Sequence, residues 1–200
     1  MHLLIMGPPG AGKGTQAGRI GAHFEIPAVS TGDMFRAMRG QETPLARQVQ
    51  EIMAAGAYVS DDITNQVVAE RLHAEDCARG FLLDGYPRTL QQVDYLDGVL
   101  DEGGRALDAV ISLQADSDEV VRRLLKRAET SGREDDNEAT IRTRQDKYTV
   151  ETAPLLDVYR DRGLLVEVDG LGAVDEVTQR LFAALDQRAG SSSALVGGAS

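Results

Sequence analysis

The sequence predicts an α/β fold built on a parallel sheet, on the strength of three observations. Short apolar runs recur at residues 2–6, 27–29, 81–84, 108–113 and 164–168, longer stretches with helical spacing separate them, and the first run opens directly into a glycine-rich turn. Parallel strands need long crossovers, usually helical, so this alternation implies a central parallel five-stranded sheet with helices on both faces, three layers in all.

The first strand, His2-Leu3-Leu4-Ile5-Met6, runs into Gly7-Pro8-Pro9-Gly10-Ala11-Gly12-Lys13-Gly14-Thr15-Gln16. A strand, a glycine-rich turn and a helix in this order bring backbone N–H groups and a helix N-terminus onto one anion, and Lys13 adds a mobile positive charge. A Cβ in the turn would hold the backbone away from phosphate oxygens. The stretch therefore reads as a phosphate-binding loop, with a helix over 13–23.

Further helices are expected over 43–55, over 60–75 with Ser60-Asp61-Asp62 as cap candidates, and over 116–127 with Asp116, Asp118 and Glu119 in its first turn. After Arg127 the run Ala128-Glu129-Thr130-Ser131-Gly132-Arg133-Glu134 loses apolar periodicity, which predicts a short mobile loop before a long helix resumes near Asp135 or Asp136. Pro154 should kink or interrupt that helix, because it lacks an N–H and crowds the preceding turn. A last helix is expected near 173–187, and Gly190 to Ser200, made of Gly, Ser and Ala with little apolar weight, reads as a disordered tail.

Composition narrows the function classes. With 200 residues and 42% apolar content the chain can build a genuine core. Its 32 acidic and 21 basic residues give a net charge of −11, which argues against nucleic acid or an anionic membrane as the main partner. An anionic substrate must be drawn by a local basic cluster. The single cysteine, Cys77, allows no intramolecular disulfide and no thiol zinc site, and reads as a buried, inert thiol. No run approaches the ~20 apolar residues that span a bilayer, and the N-terminus lacks a basic segment with an apolar core and cleavage site. Cytoplasmic residence is the expectation. His2, His23 and His73 have no partner spacing for a triad or a metal site.

The loop departs from G-x-x-x-x-G-K-[ST] by placing Gly14 between Lys13 and Thr15. In this form it resembles the loop of nucleoside monophosphate kinases, adenylate kinases above all, and the resemblance extends over residues 1–187 through further segments in the same order. It implies a P-loop kinase fold whose core comprises 1–29, 60–126 and 135–189, with a small helical AMP-binding insertion at 30–59 and a short lid at 127–134. It also implies that Gly10, Ala11, Gly12, Lys13, Gly14 and Thr15 hold ATP phosphates.

The segment Ser30-Thr31-Gly32-Asp33-Met34-Phe35-Arg36 is by itself an ordinary helix cap; the resemblance implies that Thr31 meets the AMP base and Arg36 the AMP phosphate. Gly80-Phe81-Leu82-Leu83-Asp84-Gly85-Tyr86-Pro87-Arg88-Thr89, with Gln91-Gln92 beyond, is a buried strand ending in Asp-Gly. Such an ending puts a carboxylate at the carboxyl edge of the sheet, where ligands of open α/β folds gather. Asp84 is thereby placed to hold water around Mg²⁺, Arg88 to grip a phosphate in bidentate fashion, and Gln92 to offer a donor and an acceptor to adenine. Gly85, Tyr86 and Pro87 join the AMP side by resemblance. So do Ala57, Tyr58 and Val59, in a turn, Gly56 to Ser60, that reads equally well as a plain helix terminator.

Arg123, Arg127, Arg133 and Arg144 match the arginines that adenylate kinases carry around the lid. The resemblance implies that Arg127 meets ATP phosphates, that Arg133 and Arg144 converge on the phosphoryl in transit, and that Arg123 stacks on the ATP base. Arg122, Arg142 and Arg160 read as solvated or ion-paired. The lid carries no Cys or His, so no zinc is expected, and Ala128 stands where many relatives have a second arginine. Asp169-Gly170-Leu171-Gly172-Ala173 matches the turn whose backbone cradles the ATP adenine, which adds Gly172 to the ATP side.

The activity implied is MgATP + AMP ⇌ 2 ADP, in a monomer whose partners are ATP, AMP and ADP. Two alternatives stand beside it: a CMP or UMP kinase of the same fold, against which Thr31 and Gln92 speak, and a non-catalytic ATP-binding switch, which would have no need of Asp84, Arg88 and the lid arginines.

Overall fold

The structure, a computed structural model, describes residues 1–38, 40–54, 59–116, 119–124 and 138–196, with backbone only for 53–54, 138–140 and 189–196. Five strands, β1 (His2–Met6), β2 (Ala28–Ser30), β3 (Phe81–Asp84), β4 (Ala109–Gln114) and β5 (Leu165–Asp169), form one sheet in the order β2-β3-β1-β4-β5, every pair parallel. The chain crosses from β1 past β3 to β2, returns to β3, and continues to β4 on the other flank of β1. The strand order thus reverses around β1, and ligands of such sheets bind outside the carboxyl ends at this reversal.

Side-chain alternation along β1 separates two cores. Leu4 and Met6 join Val29, Phe81, Leu83 and Val110 on one face, covered by Val68 and Leu72 of α4 (Asp61–Leu72), Val93, Leu96 and Leu100 of α5 (Leu90–Glu102), and Leu155 and Tyr159 of α8 (Leu155–Asp161). Leu3 and Ile5 join Leu82, Ala109, Ile111 and Leu113 on the other, under Ala17 and Ile20 of α1 (Lys13–Phe24) and Val177, Leu181 and Leu185 of α9 (Val174–Val196). These are the three expected layers. Strands buried on both faces read as near-continuous apolar runs, which is why the sequence shows them so plainly.

The remaining helices are α2 (Thr31–Ala37), α3 (Pro44–Ala54), a helical stretch at 119–124 (α6) and α7 (Glu138–Lys147). The helix expected over 60–75 ends at Leu72, and a separate 3₁₀ turn follows at Glu75–Cys77. Its start is capped as expected by Ser60, whose hydroxyl accepts from the Ile63 N–H at 3.5 Å. α5, between β3 and β4, has no bounds in the sequence reading; Thr89 caps it by accepting from the Gln92 N–H at 3.2 Å. Pro154 does interrupt the long helix. Having no N–H to give the carbonyl of Val150, it follows a π-helical turn at Tyr148–Thr152, closed by Ala153 N–H to the Tyr148 carbonyl at 2.8 Å, and α8 starts afresh behind it.

One expectation is corrected. Residues 190–196, read as part of a disordered tail, continue α9 to Val196. Extending an existing helix avoids the nucleation cost, so a run of Ser and Ala carries on where it would not start, Gly190 notwithstanding. The lid at 127–134, Ala57 and Tyr58 lie outside the described residues.

Candidate active site

Three segments meet at the carboxyl edge of the sheet because the register puts their strand ends level. Ile5 pairs with Asp84 and Ser30 pairs with Asp84, so the turn after β1, the start of α2 and the turn after β3 leave the sheet together.

The turn after β1 is shaped by glycines in backbone conformations that L side chains rarely adopt. Gly7 has φ +145°, and a Cβ there would stand 2.5 Å from the Leu113 carbonyl oxygen; Gly10 has φ +88° and lies against Leu124 and Val120 of α6. Gly12, with φ +94°, is the N-cap of α1 and offers no side-chain cap, and the first turn of that helix holds no acidic residue. The partial positive charge of the helix start is therefore left for an external anion. Lys13 folds back over the loop, its Nζ donating to the carbonyls of Gly7 at 2.8 Å and Pro8 at 3.0 Å. Ala11 is buried, while Gly14 and Thr15 enter the helix.

Asp84 ends β3 facing this loop. A Cβ on Gly14 would lie 3.6 Å from its Oδ2. Burial pushes the carboxyl pKa up from the ordinary aspartate value, the positive charges of Lys13 and Arg88 pull it back, Asp33 adds to the rise and Arg36 opposes it. The charge balance of this edge is thus set by the very residues the sequence singled out.

Gly85, at φ +85°, turns the chain so that its carbonyl accepts from Thr31 Oγ1 at 3.1 Å and from Arg88 Nε at 2.7 Å. Thr31 is only 1% exposed, whereas Arg88 is exposed at the edge. The Tyr86-Pro87 peptide bond is cis. The buried Tyr86 hydroxyl donates to Asn65 Oδ1 at 2.6 Å and to the Gln92 carbonyl at 3.2 Å, and burial drives its pKa upward. Arg36 pairs with Asp33 at 2.5 Å within α2.

Gln92 is buried, and both ends of its amide are engaged. Its Oε1 accepts from the Arg88 N–H at 2.7 Å and its Nε2 donates to Asp61 Oδ1 at 2.6 Å. Val59 stands just before the Ser60 cap of α4. On the other flank, Arg123 of α6 reaches Glu119 at 2.8 Å and the Gly170 carbonyl at 3.2 Å, which brings it to the 169–173 turn that contains Gly172, φ +108°. Arg144 is half-buried on α7. Its neighbours Gln145, Tyr148 and Thr149 border a cavity of about 260 Å³ against Pro8 of the loop and the end of β4. A wider groove of about 530 Å³, between Asp62, Asn65, Gln91, Asp94 and Tyr95 on α4 and α5, contains none of the expected site residues.

The structure thus gathers Lys13, Thr31, Asp84, Gly85 and Arg88 at one edge, with Arg123 of α6 and the turn containing Gly172 as a second group. Arg127 and Arg133 lie outside the described residues. Sequence reasoning missed Asn65, Asp61 and Arg180. Asp61 was visible only as a cap candidate. Arg180, which donates to the carbonyls of Asp169 at 2.6 Å and Leu171 at 2.9 Å and so pins the Gly172 turn, carries no local signal at all.

Comparison with known proteins shows the family. The family model described as adenylate kinase matches residues 5–164. The chain is 60% identical over 187 residues to the adenylate kinase of Clavibacter michiganensis subsp. michiganensis, covering 94% of each chain, and 56% identical to that of Nocardioides sp. over 93% of this chain and 97% of that one. The adenylate kinase of Xanthomonas euvesicatoria pv. vesicatoria is 47% identical over 92% of this chain and 99% of its own. With a phosphate loop, an Asp-Gly strand end and an exposed arginine meeting at one sheet edge, and a match along nearly its whole length, this chain belongs to the adenylate kinase family.

Proposed function

We propose that the residues gathered at this edge divide between two nucleotides in the activity of the family, the reversible transfer of a phosphoryl group from ATP to AMP to give two ADP. On the ATP side, the N–H groups of Gly10 to Thr15 and the Lys13 ammonium surround the β- and γ-phosphates, and Arg123 with the Gly172 turn takes the base. On the AMP side, Thr31, Val59, Gly85 and Gln92 line the nucleoside, and Arg36 and Arg88 hold its phosphate. Ala57, Tyr58, Arg127 and Arg133, outside the described residues, complete the two sides by resemblance.

A phosphate oxygen of AMP attacks the γ-phosphorus in line, forming one O–P bond as the bond to the β–γ bridging oxygen breaks, and ADP leaves. No covalent enzyme intermediate is required. The protein contributes position and positive charge around a loose transition state, from Lys13, Arg88 and Arg144 with Arg127 and Arg133. Lys13 must give up its loop carbonyls for phosphate oxygens, a change of partners between two states of the same side chain.

The donor set fits a Mg²⁺ ion carried in with ATP. Mg²⁺ keeps several waters and takes few protein ligands, and Asp84 supplies one carboxylate facing the loop, while among the described residues no three His, Cys, Asp or Glu side chains group as a metal cage. When bound, Mg²⁺ neutralises and orients the β- and γ-phosphate charge.

The observation that carries this reading is the level placement of Lys13, Asp84 and Arg88 at one sheet edge. It is tested by ADP formation from MgATP with AMP, CMP, UMP or GMP in separate reactions. Rapid turnover with AMP alone is expected; a pyrimidine preference overturns the roles of Thr31 and Gln92, and binding of ATP without transfer overturns catalysis. The relatives, all named adenylate kinase, do not favour either alternative. We also propose a cytoplasmic monomer; no helix among the described residues is long and apolar enough to cross a membrane.

A further inference from the structure

Asp61, at the first position of α4, takes no part in the phosphoryl transfer outlined above, yet both of its oxygens are engaged by the AMP side. Oδ1 accepts from Gln92 Nε2 at 2.6 Å and Oδ2 accepts from the Thr89 hydroxyl at 2.6 Å. The other end of the Gln92 amide accepts from the Arg88 backbone N–H at 2.7 Å.

An amide is nearly symmetric in shape, so only its partners decide which end is oxygen and which is nitrogen. Here one partner is a carboxylate, which accepts only, and the other a backbone N–H, which donates only. Turning the amide end for end would set oxygen against carboxylate and NH₂ against N–H. Gln92 is 4% exposed, so water is poorly placed to relieve such a mismatch. Asp61 itself sits at a capped helix start, where the dipole favours a negative charge.

We propose that Asp61 is a positioning residue that sets the hydrogen-bond polarity of Gln92, and through it the choice of 6-aminopurine over 6-oxopurine monophosphates as acceptor. The inference rests on the reading that Gln92 meets the acceptor base. Beyond the bonds described, an amide has one more N–H on Nε2 and one more lone pair on Oε1. Adenine presents a donor at N6 beside an acceptor at N1, whereas a 6-oxopurine presents an acceptor at O6 beside a donor at N1. A held amide matches the first order and opposes the second. A flipped one does the reverse, and a buried polar site rejects the mismatched partner because its groups are left unpaired.

The test compares kcat/KM for AMP and IMP, with ATP as donor, in the wild type, Asp61→Ala, Asp61→Ser, Gln92→Ala and the double variant Asp61→Ala/Gln92→Ala. Asp61→Ser also lacks the carboxylate and suits a helix start, so a folding defect in the alanine variant leaves the question answerable. Removal of Asp61 should lower the AMP-to-IMP preference about tenfold, the scale of one hydrogen bond, mainly through KM for the acceptor and with KM for ATP unchanged. In the Gln92→Ala background the same removal should change the preference less than twofold, since the effect passes through Gln92. An unchanged preference in both Asp61 variants, while Gln92→Ala lowers it, overturns the positioning role and leaves the Gln92 reading intact. No effect of Gln92→Ala overturns that reading and this proposal with it. Independent, additive losses in the double variant overturn the route through Gln92.

Discussion

The two sides proposed for the nucleotides are made of different material. On the proposed ATP side it is the backbone that is arranged to receive an anion, through glycines at positive φ, a helix start with no side-chain cap, and one lysine resting on loop carbonyls. On the proposed AMP side, side chains from α2, α4 and α5 and the turn after β3 are held by one another and by the turn's backbone: Thr31 and Arg88 to the Gly85 carbonyl, Gln92 to the Arg88 N–H, Gln92 and Thr89 to Asp61, Tyr86 to Asn65. A backbone site demands particular residues at consecutive positions, because only glycine tolerates the conformation and the close approach. A side-chain site can be assembled from positions far apart, and its cost lies in satisfying each buried polar group.

The contrast predicts where substitutions strike. The largest effect is shared: Lys13→Met and Arg88→Ala should each lower kcat by roughly three powers of ten or more, since each removes a charge that the proposed mechanism assigns to the transferred phosphoryl. Losses below tenfold for both, in folded protein, would dissolve the division into two sides.

Next comes Gly7→Ala. The new methyl would stand 2.5 Å from the Leu113 carbonyl oxygen at a φ of +145°, and a destabilisation of about 2–3 kcal/mol is expected in denaturant unfolding. Gly14→Ala, where the methyl meets only Asp84 Oδ2 at 3.6 Å, should stay within about 0.5 kcal/mol of the wild type. Equal costs at the two positions would mean that the loop is less tightly held than its geometry shows.

Asp84→Asn separates function from stability. Burial raises the folded pKa of Asp84 above its unfolded value, so the ionised carboxylate weakens the fold as pH rises through that raised pKa, and the protonated form does not. The asparagine variant should lose activity yet show a higher Tm than the wild type at pH 7, and this gain should vanish when the pH is taken below the ordinary aspartate pKa. A lower Tm at pH 7 would show that the Lys13 and Arg88 charges outweigh burial.

The smallest effect is expected at the end of the chain. Removing residues 190–200 takes away helix beyond Leu185, the last core residue among the described side chains of α9, and should change kcat by less than twofold and Tm by no more than a degree or two. A larger fall in Tm would give the end of α9 a packing role.

The legibility of the site follows the same division. Gly7 to Thr15 were readable because strand, glycines and lysine are contiguous, and Asp84 to Arg88 because a buried strand ends abruptly in Asp-Gly. Asn65 and Arg180 were not: Asn65 meets Tyr86 from another element, 21 residues away, and Arg180 reaches back from α9 to the turn after β5, 9 and 11 residues before it, and neither belongs to a local pattern. Pro154 announced a break in the helix, but not the π-helical turn that absorbs it. Asp61 is the instructive case. Of the cap candidates Ser60, Asp61 and Asp62 it is Ser60 that caps α4, and nothing nearby in the chain hinted that the Asp61 carboxylate faces Gln92.

Strand positions, the three layers and the phosphate loop were determined by the sequence alone, because apolar periodicity and glycine requirements are local and each is met within a few residues. Tertiary structure alone decided the level alignment of β1, β2 and β3 that brings Lys13, Thr31, Asp84 and Arg88 to one edge, the polarity imposed on Gln92 by Asp61 and Arg88, and the pinning of the Gly172 turn by Arg180. The physical reason is that buried polar groups must find partners wherever the packed layers put them, and that pairing is a property of the assembled sheet and helices rather than of any one segment.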